Sequence, residues 1–197
     1  INMGSLIEEA IEMAITALMK QDAKKAKEIV DFDEEIDEKE REIESLCLKL
    51  LLQQQPVARD LRVISSALKM ISDMERIGDQ ASDIVELAQY IKKSDVKYKT
   101  HLSDMANEVI KMVTKSIKSF VKKDIEMARN VIVYDDVVDN YFEEIKKELI
   151  RIISSGESDG EEFIDILMIA KYLERIGDHA TNIAEWVEYS ILGYHAE

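Results

Sequence analysis

The amino-acid sequence predicts an all-α protein built as two tandem three-helix bundles that are related by an internal duplication. The 197 residues include one proline and six glycines, with 46% hydrophobic and 34% charged residues, which is typical of helical proteins. Apolar residues recur every three or four positions, which is the helical period. The stretch from Glu75 to Asp83 returns 99 residues later as Glu174 to Asn182. This repetition indicates that one helical unit occurs twice.

The duplication divides the chain into residues 1–93 and residues 101–197, joined by a polar linker at residues 94–100. Asp22 and Asp124 stand at equivalent positions, each as a potential N-cap of the second helix of its half. Pro56 is suited to the first turn of the third helix. The expected helices span residues 3–20, 22–52, 56–91, 102–121, 124–153 and 161–189.

The composition excludes several classes of function. A net charge of −15, with no stripe of Lys and Arg, argues against a nucleic-acid surface and favours cations or basic partner faces. The single cysteine, Cys47, cannot form an internal disulfide and fits a reducing compartment. We expect no signal peptide, and the sequence contains no apolar run of about 18 residues that would span a membrane. We therefore expect a cytoplasmic protein that meets membranes only through its partners.

Acidic residues four positions apart recur at matching places in both halves. Counted from each predicted hairpin turn at about 1.5 Å per residue, the acidic pair on the second helix lies level with the pair on the third. We therefore expect each hairpin to bring two pairs together. These pairs are Asp33/Asp37 with Glu75/Asp79, and Asp135/Asp139 with Glu174/Asp178.

Carboxylates crowded near an apolar seam destabilise a fold unless something neutralises them. Two interpretations stay open. Arg76 and Arg175 could form ion pairs with the aspartates three residues later. Alternatively, the carboxylates bind hard or borderline cations such as iron, manganese, magnesium or calcium, with more than one ion bridged. Gly78 and Gly177, each unfavourable by about 1 kcal/mol within a helix, indicate the close approach of another helix or of a ligand.

No glycine-rich phosphate loop and no catalytic nucleophile stand out in the sequence, so we do not expect an enzyme. The paired Glu-Arg-Ile-Gly-Asp-x-Ala copies, the Asp-x-x-x-Asp elements and the twofold repeat together resemble the PhoU family of phosphate-uptake regulators. The resemblance covers nearly the whole chain. It implies metal clusters on the acidic motifs, of iron first, with manganese, magnesium, calcium or zinc as alternatives. The ligands that it implies are Asp33, Asp37, Glu75, Asp79, Asp83, Asp135, Asp139, Glu174, Asp178 and Asn182.

The resemblance also implies a negative regulator of phosphate uptake and of phosphate-starvation signalling. Such a protein would be a homodimeric adaptor between the ATPase subunit of the phosphate ABC transporter and its sensor histidine kinase. The alternative is a metal-binding accessory protein of another phosphate or metal transporter. Two departures from the family pattern are visible. The first helix is short by some residues at Ile1, and Asn182 stands where a third acid is expected, so we expect the second metal site to be the weaker one.

Overall fold

The computed structural model describes residues 1–20, 25–54, 56–91, 96–155 and 160–194. The prediction of an all-α protein is confirmed, because these ranges form six helices and contain no strand. None of these helices combines the length and the apolarity that crossing a bilayer requires. The helices are α1 (Asn2–Lys20), α2 (Lys25–Gln54), α3 (Ala58–Ala88), α4 (Val96–Lys122), α5 (Ile125–Ser155) and α6 (Gly160–Leu192).

The starts of α3 and α5 test two predictions, that Pro56 opens the third helix and that Asp124 caps the fifth. The prediction at α5 is confirmed, because the backbone N–H of Met127 donates a 3.0 Å hydrogen bond to Asp124 Oδ1. The prediction at α3 is wrong, because the helix begins at Ala58, two residues after Pro56. Val57 has an extended backbone and takes the N-cap position without a side-chain hydrogen bond. The first N–H groups of α3 are therefore not capped by the residue that precedes the helix.

The helical part of the second half begins earlier than the sequence pattern predicts. α4 starts at Val96, so residues 96–100 of the expected linker are helical. That stretch contains neither glycine nor proline, and a polar segment can extend a helix as long as nothing breaks it. Residues 94–95, and Asp22 with its expected cap, lie outside the described residues.

The two bundles, α1–α3 and α4–α6, pack side by side through α3 against α6 and α1 against α4. α3 and α6 run antiparallel, since Arg62 near the start of α3 lies against Gly193 just beyond the end of α6. One continuous apolar core runs through both bundles. Ile77 and Ile176, which are equivalent residues of the two repeats, are both fully buried in it. The repeats are therefore halves of one packed structure.

Candidate functional site

The α2–α3 hairpin has the register that the sequence predicts. Ser72 Oγ on α3 donates a 3.1 Å hydrogen bond to Glu40 Oε1 on α2. Further from the turn along this register, the Asp37 carboxylate faces that of Glu75, and the Asp33 carboxylate faces that of Asp79. The hairpin thus gathers five acids, which we call the first cluster: Asp33, Asp37, Glu75, Asp79 and Asp83.

Burial and the crowding of carboxylates raise the pKa of Asp33 and of Glu75 in the first cluster. Burial raises the pKa of Asp33, and the carboxylates of Asp79 and Asp37 raise it further. Burial and Asp79 also raise the pKa of Glu75, whereas Arg76 lowers it. Arg76 donates a 3.0 Å hydrogen bond from a terminal guanidinium nitrogen to Asp79 Oδ2. The predicted Arg76 ion pair is therefore confirmed, but the arginine side chain is 61% exposed, so the pair contributes little stability.

The α5–α6 hairpin repeats this arrangement with a different cation. Burial, together with the nearby carboxylates of Asp139 and Asp178, raises the pKa of Asp135 to about 6. Lys171 pairs with Glu174 and lowers the pKa of Asp178, although burial and Glu174 still leave that pKa raised. Lys171 thus takes the neutralising role that the sequence pattern assigns to Arg175. We call these four acids the second cluster: Asp135, Asp139, Glu174 and Asp178.

The two mid-helix glycines lie at helix contacts, Gly78 where α3 packs against α2 and Gly177 where α6 packs against α5. A Cβ atom on Gly78 would lie 3.0 Å from Ile36 Cδ1, and one on Gly177 would lie 3.3 Å from Val138 Cγ1. Asp135 Oδ1 would lie 3.4 Å from the added atom at Gly177. The prediction that these glycines permit a close approach is confirmed. At both positions an aspartate of the facing helix lies beside the glycine, with Asp33 Oδ1 3.7 Å from an added Cβ at Gly78.

Asn182, the last residue of the second motif, contacts the other repeat. Its Nδ2 donates a 3.0 Å hydrogen bond to Asp73 Oδ1 on α3, and His179 Nδ1 lies 2.9 Å from the same oxygen. Both residues therefore belong to the interface between the repeats. The periodicity of either helix alone could not reveal this contact, because it joins residues more than 100 positions apart.

Asp83, the equivalent residue of the first motif, remains part of the first cluster. Burial raises its pKa, and the carboxylates of Asp79 and Glu86 raise it further. Arg175 of the second repeat lowers it. Asp83 therefore lies between the first cluster and the repeat interface.

The donor groups fit a hard cation by their chemistry. Two buried hydroxyl oxygens, Ser82 Oγ and Thr181 Oγ1, occupy equivalent positions in the two repeats and make no hydrogen bond of normal geometry within the described residues. They lie near Asp33 and Asp135 and lower the pKa of each. Crowded carboxylates beside hydroxyl oxygens are ligands that cations such as Mg²⁺, Ca²⁺ or Mn²⁺ prefer.

The positions of these side chains do not by themselves enclose an ion. Among the described residues, no three His, Cys, Asp or Glu side chains converge closely enough to hold one metal ion. Binding would require some of the carboxylates to change rotamer. Metal ligation by the ten residues that the motifs suggest therefore stays a prediction. Of these residues, Asn182 is hydrogen-bonded to Asp73 of the other repeat.

Sequence comparison finds the same unit twice in this chain. A family model described as PhoU domain matches residues 1–88 and again residues 102–187. The phosphate-specific transport system accessory protein PhoU homolog of Clostridium acetobutylicum is 36% identical over 197 residues, which cover 98% of this chain and 89% of that protein. Its counterpart in Aquifex aeolicus is 35% identical, over 89% of this chain and 80% of that protein.

Structural comparison gives the same result. The crystal structure of PhoU from Pseudomonas aeruginosa superimposes with a TM-score of 0.93 at 33% identity, covering 98% of this chain and 93% of that one. The phosphate transport system regulatory protein PhoU from Streptococcus pneumoniae gives a TM-score of 0.92 at 26% identity, covering 100% and 93%. These similarities confirm the predicted fold of paired three-helix bundles.

Proposed function

The chain belongs to the PhoU family, and we propose that it is an accessory protein that regulates a phosphate-specific transport system. The match of the family model to both halves supports this proposal. So do relatives that carry this role in their names and align over nearly the whole chain. Since those relatives are accessory proteins, we assign this chain a regulatory role and no reaction of its own.

Our more specific proposal is a negative regulator that acts in the cytoplasm as a metal-binding, homodimeric adaptor between the transporter's ATPase subunit and its sensor histidine kinase. The observation that carries it is the presence of two acidic clusters in the same register of both repeats. The side chains of Asp37 and Asp79 stay 46% and 34% exposed. A cation held there could take further oxygen ligands from a partner protein.

In this proposal the eight carboxylates of the two hairpins, joined by Asp83, hold the cations. A bound cation would supply positive charge that relieves the repulsion raising the pKa of Asp33 and Asp135. The chain itself supplies the placement, because Gly78 and Gly177 let these two aspartates lie across the facing helix.

The regulatory role is tested in a strain that lacks the gene. We expect phosphate-starvation genes to be expressed in phosphate-rich medium in that strain, and the intact gene to restore repression. A Glu75→Gln, Asp79→Asn double variant should restore it poorly. Asp104→Asn, which removes an exposed acid outside both clusters, should restore it fully. Unchanged expression in the deletion strain would reject the adaptor and favour an accessory protein of another phosphate or metal transporter.

A further inference from the structure

A cavity of about 560 Å³ opens where α3 begins and α6 ends, far from both acidic clusters. This volume lies within the range of about 300–1,000 Å³ that is typical of small-molecule sites. The start of α3, the end of α4 with its following turn, and the end of α6 contribute most of the wall. The lining residues are Ile1, Arg59, Val63, Phe120, Val121, Lys123, Ser190 and Ile191.

The charge of this cavity is opposite to that of the chain. The protein carries a net charge of −15, and cations such as Arg76 and Lys111 are paired with carboxylates on their own helices. Arg59 and Lys123 line the cavity and form no ion pair with any residue in the described part of the chain. The cavity wall itself contains no acidic residue. Two solvent-exposed cations without ion pairs therefore border a mostly apolar space.

Further positive potential surrounds the cavity. Arg62, one turn after Arg59, lies with Nε 3.2 Å from the position that a Cβ on Gly193 would occupy. That Nε is buried and has no hydrogen-bond partner among the described residues. The N-terminus of α3 lacks a side-chain cap at Val57, so its free N–H groups add the positive end of the helix dipole.

These cations are not a property shared by both repeats. The residues that lie 99 positions after Arg59 and Arg62 are Ser158 and Glu161. The residue 102 positions before Lys123, which is its equivalent in the first repeat, is Gln21. The positions equivalent to Arg59, Arg62 and Lys123 are thus not basic in the other repeat, although the duplication supplied both repeats with the same helices. The positive charge near the cavity is therefore a property of these particular residues and not of the repeated fold.

We propose that this cavity binds a small organic anion that carries a phosphate group. Arg59 and Lys123 contact the phosphate, whose double negative charge suits two unpaired cations. Val63, Phe120 and Ile191 enclose the organic part. Free inorganic phosphate would leave this apolar wall uncovered, so we expect it to bind more weakly than an organic phosphate. The charged part of the wall comes from α3 and from the turn after α4.

Isothermal titration calorimetry on the purified chain tests this proposal with four probes: adenosine 5′-monophosphate, dihexanoyl phosphatidic acid, inorganic phosphate and uncharged adenosine. We expect at least one of the two organic phosphates to bind, and the tighter of them identifies the source as a nucleotide or a lipid. Adenosine and inorganic phosphate should bind more weakly. Arg59→Gln and Lys123→Gln should each weaken the binding by about tenfold, which is the usual cost of losing one charge-assisted hydrogen bond.

Arg151→Gln is the matched control. It removes the same charge from an exposed position near the end of α5, roughly 40 Å along the α6 axis from the cavity. Circular dichroism should show that all three variants remain helical. The proposal is overturned if neither organic phosphate binds, if both cavity variants bind as the wild type does, or if Arg151→Gln weakens binding equally. Inorganic phosphate binding as tightly as the organic probes would also overturn it. None of these results depends on the regulatory role, which the deletion strain tests separately.

Discussion

The first and second acidic clusters occupy equivalent places in the two repeats, but they are neutralised differently. In the first cluster, an exposed arginine, Arg76, pairs with Asp79. In the second cluster, Lys171 pairs with the more buried Glu174, and the pKa of Asp135 is raised to about 6. The duplication has therefore preserved the register of the carboxylates without preserving their counter-ions. Placement of the acids, rather than any one ion pair, is what the two repeats have in common.

The last position of the motif shows a second difference. Asp83 stays beside the first cluster, whereas Asn182 donates its hydrogen bond to Asp73 in the other repeat. The first cluster thus has one more carboxylate than the second. The same position of the motif thus adds a carboxylate to the first cluster, as Asp83, and forms a contact between the two repeats, as Asn182.

The largest effect that we expect from this difference is on metal content. Asp79→Ala should remove more bound metal than Asp178→Ala, because a site with more carboxylates holds more cations or holds them more tightly. Metal content is measured by elemental analysis of protein expressed in metal-replete medium. Asp104→Ala, an exposed acid outside the clusters, serves as the control and should remove none.

Equal losses of bound metal from Asp79→Ala and Asp178→Ala would show that the arrangement of the ligands affects metal binding more than the number of carboxylates does. A wild-type protein without metal would leave the clusters to be neutralised by basic side chains such as Arg76 and Lys171. In that case the ion-pair interpretation of the clusters would be the correct one.

The register of these clusters could be predicted because it depends on local quantities. The rise per residue is fixed, and each hairpin turn is marked by the sequence near Pro56 or near residues 154–160. Counting from the turn therefore placed Asp33 level with Asp79 and Asp135 level with Asp178, as the structure has them. Gly78 and Gly177 could likewise be read as points of close approach, because a glycine within a helix has a known cost.

Features that depend on how the bundles pack could not be predicted. The contact of His179 with Asp73 joins α6 to α3, and helical periodicity contains no information about which helix covers which. The cavity brings Arg59, Lys123 and Ser190 together from three separate helix ends. Each of these residues looks like an ordinary surface residue in the sequence, so only the assembled structure reveals that they share one space.

The second effect concerns pH and should separate the two clusters. Because the pKa of Asp135 is raised to about 6 in the folded protein, the unfolded chain releases this proton first as the pH rises. The free energy of unfolding of the wild type therefore falls between about pH 4 and pH 6, and it stays at the lower value above pH 6. Asp135→Asn should raise the free energy of unfolding at neutral pH by about 2 kcal/mol, allowing for partial solvent screening. Urea denaturation in a chelating buffer measures this gain.

Asp33→Asn is the matched variant in the first cluster. The pKa of Asp33 is raised by the same causes, so this variant should also be more stable than the wild type at neutral pH. Both gains should disappear below about pH 4, where the folded and unfolded chains alike are protonated. A loss of stability for Asp135→Asn at neutral pH, in the chelator, would contradict the repulsion on which the comparison rests.

The third effect tests the contact between the repeats. Asp73→Ala removes the acceptor of Asn182 and the partner of His179, so it should lower the free energy of unfolding by about 1–2 kcal/mol. Tyr172 stands at the equivalent position of the second repeat and forms no such pair in the described part of the chain. Tyr172→Phe should therefore change stability by less than about 0.5 kcal/mol. Similar losses from both variants would mean that the interface is more symmetric than its hydrogen bonds suggest.

The smallest effect that we expect distinguishes the two glycines. Replacing glycine with alanine within a helix adds about 1 kcal/mol of stability, but an overpacked core costs about 1–3 kcal/mol. At Gly78 the added methyl would lie 3.0 Å from Ile36 Cδ1, and Ile36 is buried in the core at 1% exposure, so its side chain must shift within packed surroundings. Gly78→Ala should therefore lower the free energy of unfolding by about 1 kcal/mol. At Gly177 the nearest atom lies at 3.3 Å, so Gly177→Ala should stay within about 0.5 kcal/mol of the wild type. The reverse order in urea denaturation would show that α5 is held more rigidly against α6 than α2 is against α3.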